Sequence, residues 1–351
     1  MVYKELVGVK KMDGILEYFG SLDPAVFVQS LPGNIAQGIL WGIMALGVYI
    51  TFRILNFADL TVDGSFATGG AVTAVMLMNG ASIWVAMVVA FFAGLVAGLV
   101  TGLLHTVFGI PDILSGILSQ IALYPINLHI MNKFSNLPIK MDNYGMVFSF
   151  NSENLNIAGL LISMRDVYMA IIVAAVVAII IMAVMYWYFG TEQGSAIRAT
   201  GANPKMAAAQ GININLDKVI ALALSNAVVA TAGSLIAQYQ GFADVNMGRG
   251  AIVIGLAAVI IGQVIGEALF KKHFNFIVRL IFVVIGGILY YLVMGVVLWL
   301  KMPPEDLKLF TAIIVAIFLA IPYLRNKSKT SFKRVVKMNK KNDEREAADN
   351  A

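Results

Sequence analysis

Six uncharged, mainly apolar runs at 33–52, 82–104, 113–132, 168–189, 219–239 and 280–300 leave this chain one class of fold. A helix needs about 20 residues to cross a hydrocarbon core about 30 Å thick. Lipid offers no partner to an open strand edge, so apolar runs of this length are read as membrane helices. Shorter runs at 64–78, 250–266 and 309–324 predict tilted, re-entrant or broken segments. The expected fold is an all-α polytopic membrane protein, a bundle of about nine membrane segments that contains an inverted repeat. Only 13% of the residues are charged, against about 25% in a soluble domain, and the mean hydropathy is +0.82. The expected organisation is an interfacial segment at 1–32, with an amphipathic stretch at 15–28, a transmembrane domain at 33–324 and a basic tail at 325–351. The first residues mix acids with lysines, lack an apolar run, and do not read as a cleaved signal.

Charge sets the expected orientation. The tail at 325–351 holds nine of the 25 Lys/Arg and four of the 20 Asp/Glu, so it carries the whole net charge of +5. Such a tail reads as a cytoplasmic anchor near anionic lipid. Counting back from it places 267–279, 190–218 and 52–56 inside and 133–167 outside, which puts 16 of the 25 basic residues on the inner side. Lys4, Lys10 and Lys11 run against that count.

Two phrases echo each other. Residues 56–78 read NFADLTVDGSFATGGAVTAVMLM and residues 241–261 read GFADVNMGRGAIVIGLAAVII. Each has Phe-Ala-Asp, a short polar or glycine stretch and then small apolar residues. The orientation has the first phrase start at the cytoplasmic side and the second at the outer side, as an inverted repeat would. Asp59, Asp63 and Asp244 stand at the mouths of these segments. An acid inside a membrane costs roughly 2.5–3.5 kcal/mol on insertion scales unless it has a partner or a cavity. Two readings follow: each acid caps the positive end of a half-helix, or it lines a translocation path together with Asn56, Ser65, Gln238, Gln240 and Asn246. Gly94, Gly98 and Gly102, four residues apart, read as a helix-packing stripe. The scattered histidines and the 18 methionines suggest no metal site.

Residues 194–213, GSAIRATGANPKMAAAQGIN, form a small polar island in this apolar chain. Thr191 can cap a helix over 192–200 with Glu192 in its first turn, and Gly201 can end it in a left-handed conformation. Asn203-Pro204 then reads as a cap with proline at the first helical position, and a second helix over 204–210 ends at Gly211. Helices this short need a surface: the protein's own inner face, the headgroup layer, or a partner anchored by Ile197, Arg198 and Met206.

The stretch GSAIRATGANPKMAAAQGININLDKVIALALSNAVVATAGSLIAQYQGFADVNMGRGAIVIGLAAVIIG resembles permeases of the branched-chain amino acid/ribose class of ABC importers. It is most similar to the tryptophan/tyrosine-type branch, and GILWGIMALGVYITFRILNFADLTVDGSF agrees with that branch's early segment. The likeness covers most of 33–324; KKHFNF at 271–276 and the tail depart from it. It implies a membrane subunit that moves a small solute, an aromatic or branched-chain amino acid, from an extracytoplasmic binding protein into the cytoplasm. It also implies a second permease copy, as a homodimer in the cell membrane. The island would be the loop that docks in a separate ATPase subunit, through Gly194, Ile197, Arg198, Gly201, Asn203, Pro204, Ala207 and Gly211. ATP and Mg²⁺ would bind in that subunit and no cofactor in this chain. The binding protein would meet 133–167 and 240–246.

The residues add exclusions. The chain has no cysteine and no G-x-x-x-x-G-K-[ST] phosphate loop. It shows no nucleophile–base or metal spacing, so it reads as a transport subunit and not an enzyme. The basic tail lacks the aromatic or motif support of nucleic-acid binding. Two alternatives stay open: an ion-coupled secondary transporter using Asp59, Asp63 and Asp244, or the same importer role for a sugar or nucleoside.

Overall fold

The computed structural model describes residues 24–139, 164–270 and 275–301, with scattered helical positions between 309 and 320. The chain divides into two units, Met1–Pro304 and Glu305–Ala351. The first contains helices α1 (Pro24–Tyr49), α2 (Thr61–Met78), α3 (Ile83–Thr106), α4 (Asp112–Ile130), α5 (Met164–Gly190), α6 (Glu192–Ala202), α7 (Pro204–Ala209), α8 (Ile214–Gln240), α9 (Ala251–Leu269) and α10 (Phe276–Trp299). Two three-residue strands, β1 (Asn136–Pro138) and β2 (Phe242–Asp244), pair antiparallel.

Among the described residues seven helices are long and apolar enough to cross a membrane, one of them α1 with its extension to Leu55. The chain is therefore an all-α multi-pass membrane protein. The expected short segment 250–266 reaches this length as α9. The expected segment 64–78 is α2, whose 18 residues start at Thr61 and are almost wholly buried. The span at 309–324 and the tail lie mostly or wholly outside the described residues, as do 1–23. The first helix starts at Pro24 and runs unbroken past Gly33, so 24–32 are part of it and not a separate segment.

Helix α8 lies inside the bundle beside α1, with 83% of its most apolar window buried, against 89% for α1 and 17% for α5. It can be surrounded because its neighbours present glycine. A Cβ at Gly98 of α3 would collide with the Leu222 carbonyl, at Gly94 with that of Asn226, and at Gly69 of α2 with that of Ala230. Backbones approach through small residues where lipid supplies no hydrophobic drive. The stripe at Gly94, Gly98 and Gly102 is thus the α3–α8 contact. Overpacking such a contact costs about 1–3 kcal/mol or more. Gly98→Leu is expected to lose most of its monodisperse protein on size exclusion, whereas Gly190→Ala, with open space at its Cβ, should match the wild type.

Hydroxyls bind the same helices laterally. Thr61 on α2 shares a hydrogen bond with Thr101 on α3 at 2.7 Å, and Thr101 reaches Ser119 on α4 at 2.7 Å. Thr73 donates to Ser234 at 2.7 Å.

The loops cluster as the charge count predicts. Gly201 of α6 lies against Ile54 and Leu55, and Asn275 and Phe276 share a cleft with Thr191 and Arg198, so the π-helix end, the island and the start of α10 meet at one end. At the other end β1 pairs with β2, bringing 133–139 to 242–245.

Candidate functional site

The two echoing phrases meet head to head. Helix α1 continues as a π-helix, Ile50–Leu55, which ends at Asn56 in the left-handed conformation (φ 57°). Single π turns mark functional positions in many helices. The chain then turns at Asp59, whose Oδ1 accepts the Thr61 N–H at 2.9 Å and so caps α2. In the second phrase the Asp244 Oδ1 accepts the Asn246 N–H at 2.6 Å, again two residues on. The repeat thus extends from letters to backbone geometry. Asp63, in the first turn of α2, accepts the N–H groups of Gly250 at 3.0 Å and Ile252 at 2.9 Å, where α9 begins. One carboxylate therefore serves the positive end of the helix that the other phrase starts. A Cβ at Gly248 would strike the Asp63 carbonyl, so only glycine permits the meeting.

From this junction the helices diverge. The far part of α2 packs with Leu137, Ile139 and Ala243 at the β-paired end. The far part of α9, with Val259 and Gln263, reaches Tyr49, Arg53 and Arg279 near the π-helix.

The path residues separate into three groups. Asp59 is 2% exposed; its Oδ2 accepts from Asn226 Nδ2 at 2.7 Å, and Asn226 Oδ1 accepts from Ser65 Oγ at 2.6 Å. Asp59 and Ser65 are therefore buried between α2 and α8, both bonded to Asn226. Gln238 is also buried, donating to Ser234 at 3.2 Å. Asn56 and Gln240 are exposed, and Asp244 accepts from Asn136 Nδ2 at 3.3 Å at the strand pair. Of the expected path residues, Asp63 and Asn246 share a cavity of about 300 Å³ among the described residues, which is also lined by Gln120, Tyr124, Asn127 and Arg249. Sequence reasoning missed those four. The signal was there in α4, where Ser115, Ser119, Gln120 and Asn127 recur at helical spacing in an otherwise apolar run.

The island folds as two helices. Thr191 Oγ1 accepts the Gly194 N–H at 3.3 Å, and Asn203 Oδ1 accepts the Met206 N–H at 3.2 Å with Pro204 opening α7. Gly211 is left-handed (φ 81°) as expected. Gly201 is not: α6 continues through it to Ala202, and the glycine is needed because a Cβ would run into the Ile54 carbonyl. Gly194 is required for the same reason against Tyr188. Ile197 is fully buried in the protein's own core and cannot anchor a partner; Ala207 is buried too. Arg198 and Met206 remain exposed. Asp217, absent from the expected set, fastens the island: it accepts from Gln193 at 2.8 Å and from Thr200 at 2.9 Å, tying both ends of α6 to the start of α8.

Comparison with known proteins agrees with this arrangement. The family model for the branched-chain amino acid transport system permease component matches residues 32–322. A tyrosine transport system permease protein of Clostridioides difficile is 39% identical over 308 residues, covering 88% of this chain and 96% of its own. An uncharacterised protein of Rickettsia prowazekii is 28% identical, over 81% and 94% of the two chains. A galactofuranose transporter permease of Escherichia coli is 24% identical, over 75% and 71%. No solved structure matches significantly. These relatives are transport permeases where they are characterised, and their family is not known for enzymes. The family model spans most of this bundle of membrane helices, and the chain belongs to the family of branched-chain amino acid transport system permease components.

Proposed function

We propose that this chain is the membrane subunit of an ATP-driven ABC importer that carries an aromatic or branched-chain amino acid into the cytoplasm. The observation that carries this reading is the island. Its inner face, with Gly194, Ile197, Thr200 and Gly201, is built into the bundle, while Glu192, Ser195, Arg198, Lys205 and Met206 are left exposed. Such an element is fastened to α8 and the π-helix yet free to be gripped by a separate ATPase subunit. ATP and Mg²⁺ belong to that subunit, and this chain takes no cofactor of its own. The rim formed by β1 and β2 is the natural landing place for an extracytoplasmic binding protein. Two copies of the chain complete the transporter, with the basic tail in the cytoplasm beside anionic lipid.

The tyrosine transport relative supports an aromatic amino acid as cargo; the galactofuranose relative keeps a sugar as the second reading. Of the three acids the ion-coupled alternative needs, Asp59 has neutral partners on both oxygens and is closed off from solvent, and Asp63 already accepts two backbone N–H groups.

The test is purification of the tagged chain from its native cells in mild detergent. A stoichiometric ATPase should co-purify, and replacing 194–211 with a glycine-serine linker should remove it. Arg198→Glu should cut its retention by about tenfold, the weight of one interface charge reversed. A chain that purifies alone and drives ion-gradient-dependent uptake in liposomes would overturn the reading.

A further inference from the structure

The cavity at the junction of α2, α4 and the turn before α9 is lined by two asparagines, Asn127 and Asn246, whose amide oxygens have no partner. Asn127 is 1% exposed, and its Nδ2 donates to the Gly64 carbonyl at 3.4 Å, which identifies the other amide atom as oxygen. That Oδ1 is buried without a hydrogen bond, and so is the Oδ1 of Asn246. A buried acceptor left unmade costs about 1–3 kcal/mol, and native interiors contain few of them. The two residues line the same cavity of about 300 Å³, with these oxygens set in its wall, at the small end of the range of roughly 300–1,000 Å³ for ligand sites.

We infer that this cavity is a recognition site in the permease for the zwitterionic head of an amino acid, with Arg249 taking the carboxylate and the amide oxygens of Asn127 and Asn246 taking the ammonium. The inference rests on the amino acid reading under Proposed function and adds a substrate contact within the membrane subunit itself. The lining chemistry selects the ligand. Two vacant acceptors call for a donor-rich group, and an ammonium offers three donors and no acceptor. Arg249 supplies the planar fork that matches a carboxylate. Asp63 already accepts two backbone N–H groups, so its role is its charge, which sits beside the ammonium position. A cavity with one acid and one guanidinium complements a dipolar ion. A neutral polyol would satisfy the oxygens but leave both charges unanswered. The Tyr124 ring, 44% exposed at the edge of the cavity, offers an aromatic face to the ligand's side chain.

The test uses the full chain in lipid nanodiscs and saturation-transfer NMR, which detects weak ligands. The probes are L-tyrosine, tyramine (no carboxylate) and 3-(4-hydroxyphenyl)propionate (no ammonium). L-tyrosine should bind at least about tenfold more tightly than either analogue, because each leaves one polar group of the site unpaired. Arg249→Gln should weaken L-tyrosine by about tenfold and leave tyramine unchanged. Asn246→Ala should weaken L-tyrosine and tyramine alike. Equal binding of the three probes, no binding of L-tyrosine, or an Arg249→Gln effect of the same size on all three would overturn the inference. So would an Asn246→Ala protein that gains thermal stability and binds L-tyrosine as before, the behaviour of an oxygen that serves no ligand. Uptake by the assembled transporter is measured in parallel. L-tyrosine uptake without L-tyrosine binding sinks the cavity alone; no uptake of any amino acid sinks the function on which it rests.

Discussion

An Asp59→Ala protein is expected to fail at assembly before its transport can be assayed. The carboxylate satisfies two donors inside the bundle, the Thr61 N–H at the start of α2 and Asn226 Nδ2 on α8. Both are buried, so no water replaces the lost acceptor. Each orphaned donor costs about 1–3 kcal/mol, which sums to roughly half the stability of an ordinary domain. Asn226 is then held only by its second N–H, to the Leu222 carbonyl at 3.0 Å, in the orientation in which it accepts from Ser65 at 2.6 Å. The measurement is the fraction of monodisperse protein after graded heating in detergent, where the midpoint should fall by on the order of 10 °C. Asp59→Asn keeps an acceptor for Thr61 and should lose about half as much. Asp244→Ala should lose less than Asp59→Ala, because solvent can replace it at the exposed Asn136 and only the part-buried Asn246 N–H loses its acceptor. If Asp59→Ala assembles normally and alters only uptake, the buried network is not what holds α2 to α8.

The contrast between these two aspartates shows what the sequence could carry. Apolar runs fixed by membrane thickness declare most of the helices. Cap residues declare the island, and the Phe-Ala-Asp echo declares the repeat, because all three are local in the chain. Which acid faces a cavity is not local. Asp59 and Asp63 are four residues apart on the same turn, yet one reaches α8, 167 residues away, and the other reaches α9, 187 residues away. Nothing in the phrase itself distinguishes them. The cavity was hidden for the same reason: it is built from α2, α4 and the turn before α9, and Asn127 and Arg249 acquire a common purpose only when those elements pack. Asp217 stands in the first turn of α8, a position that the helix dipole favours whether or not anything docks there, so its neighbours in the chain do not mark it as a fastener.

Gly201 and Gly211 look alike in the sequence, as two helix-ending glycines, and substitution should separate them sharply. Asparagine is the test residue because it tolerates the left-handed conformation and still carries a Cβ. At Gly211, with φ of 81° and open space around it, Gly211→Asn should cost a few tenths of a kcal/mol and leave uptake near the wild-type level. At Gly201 the backbone is helical and the Cβ would enter the Ile54 carbonyl at the end of the π-helix. A backbone atom cannot swing aside as a side chain can, so α6 must lift from its seat. A cost of about 1–3 kcal/mol changes the ratio of seated to lifted island by about 5- to 150-fold. Gly201→Asn and Gly201→Ala should therefore both lose most uptake. The bundle should stay monodisperse, because α8 still packs against α2 and α3 through glycines remote from the island. Retained ATPase with lost uptake would show that the seat transmits the motion. Loss of both would show that it also shapes the docking face. Normal uptake by Gly201→Asn with impairment of Gly211→Asn would restore Gly201 to a capping role and detach the π-helix from coupling.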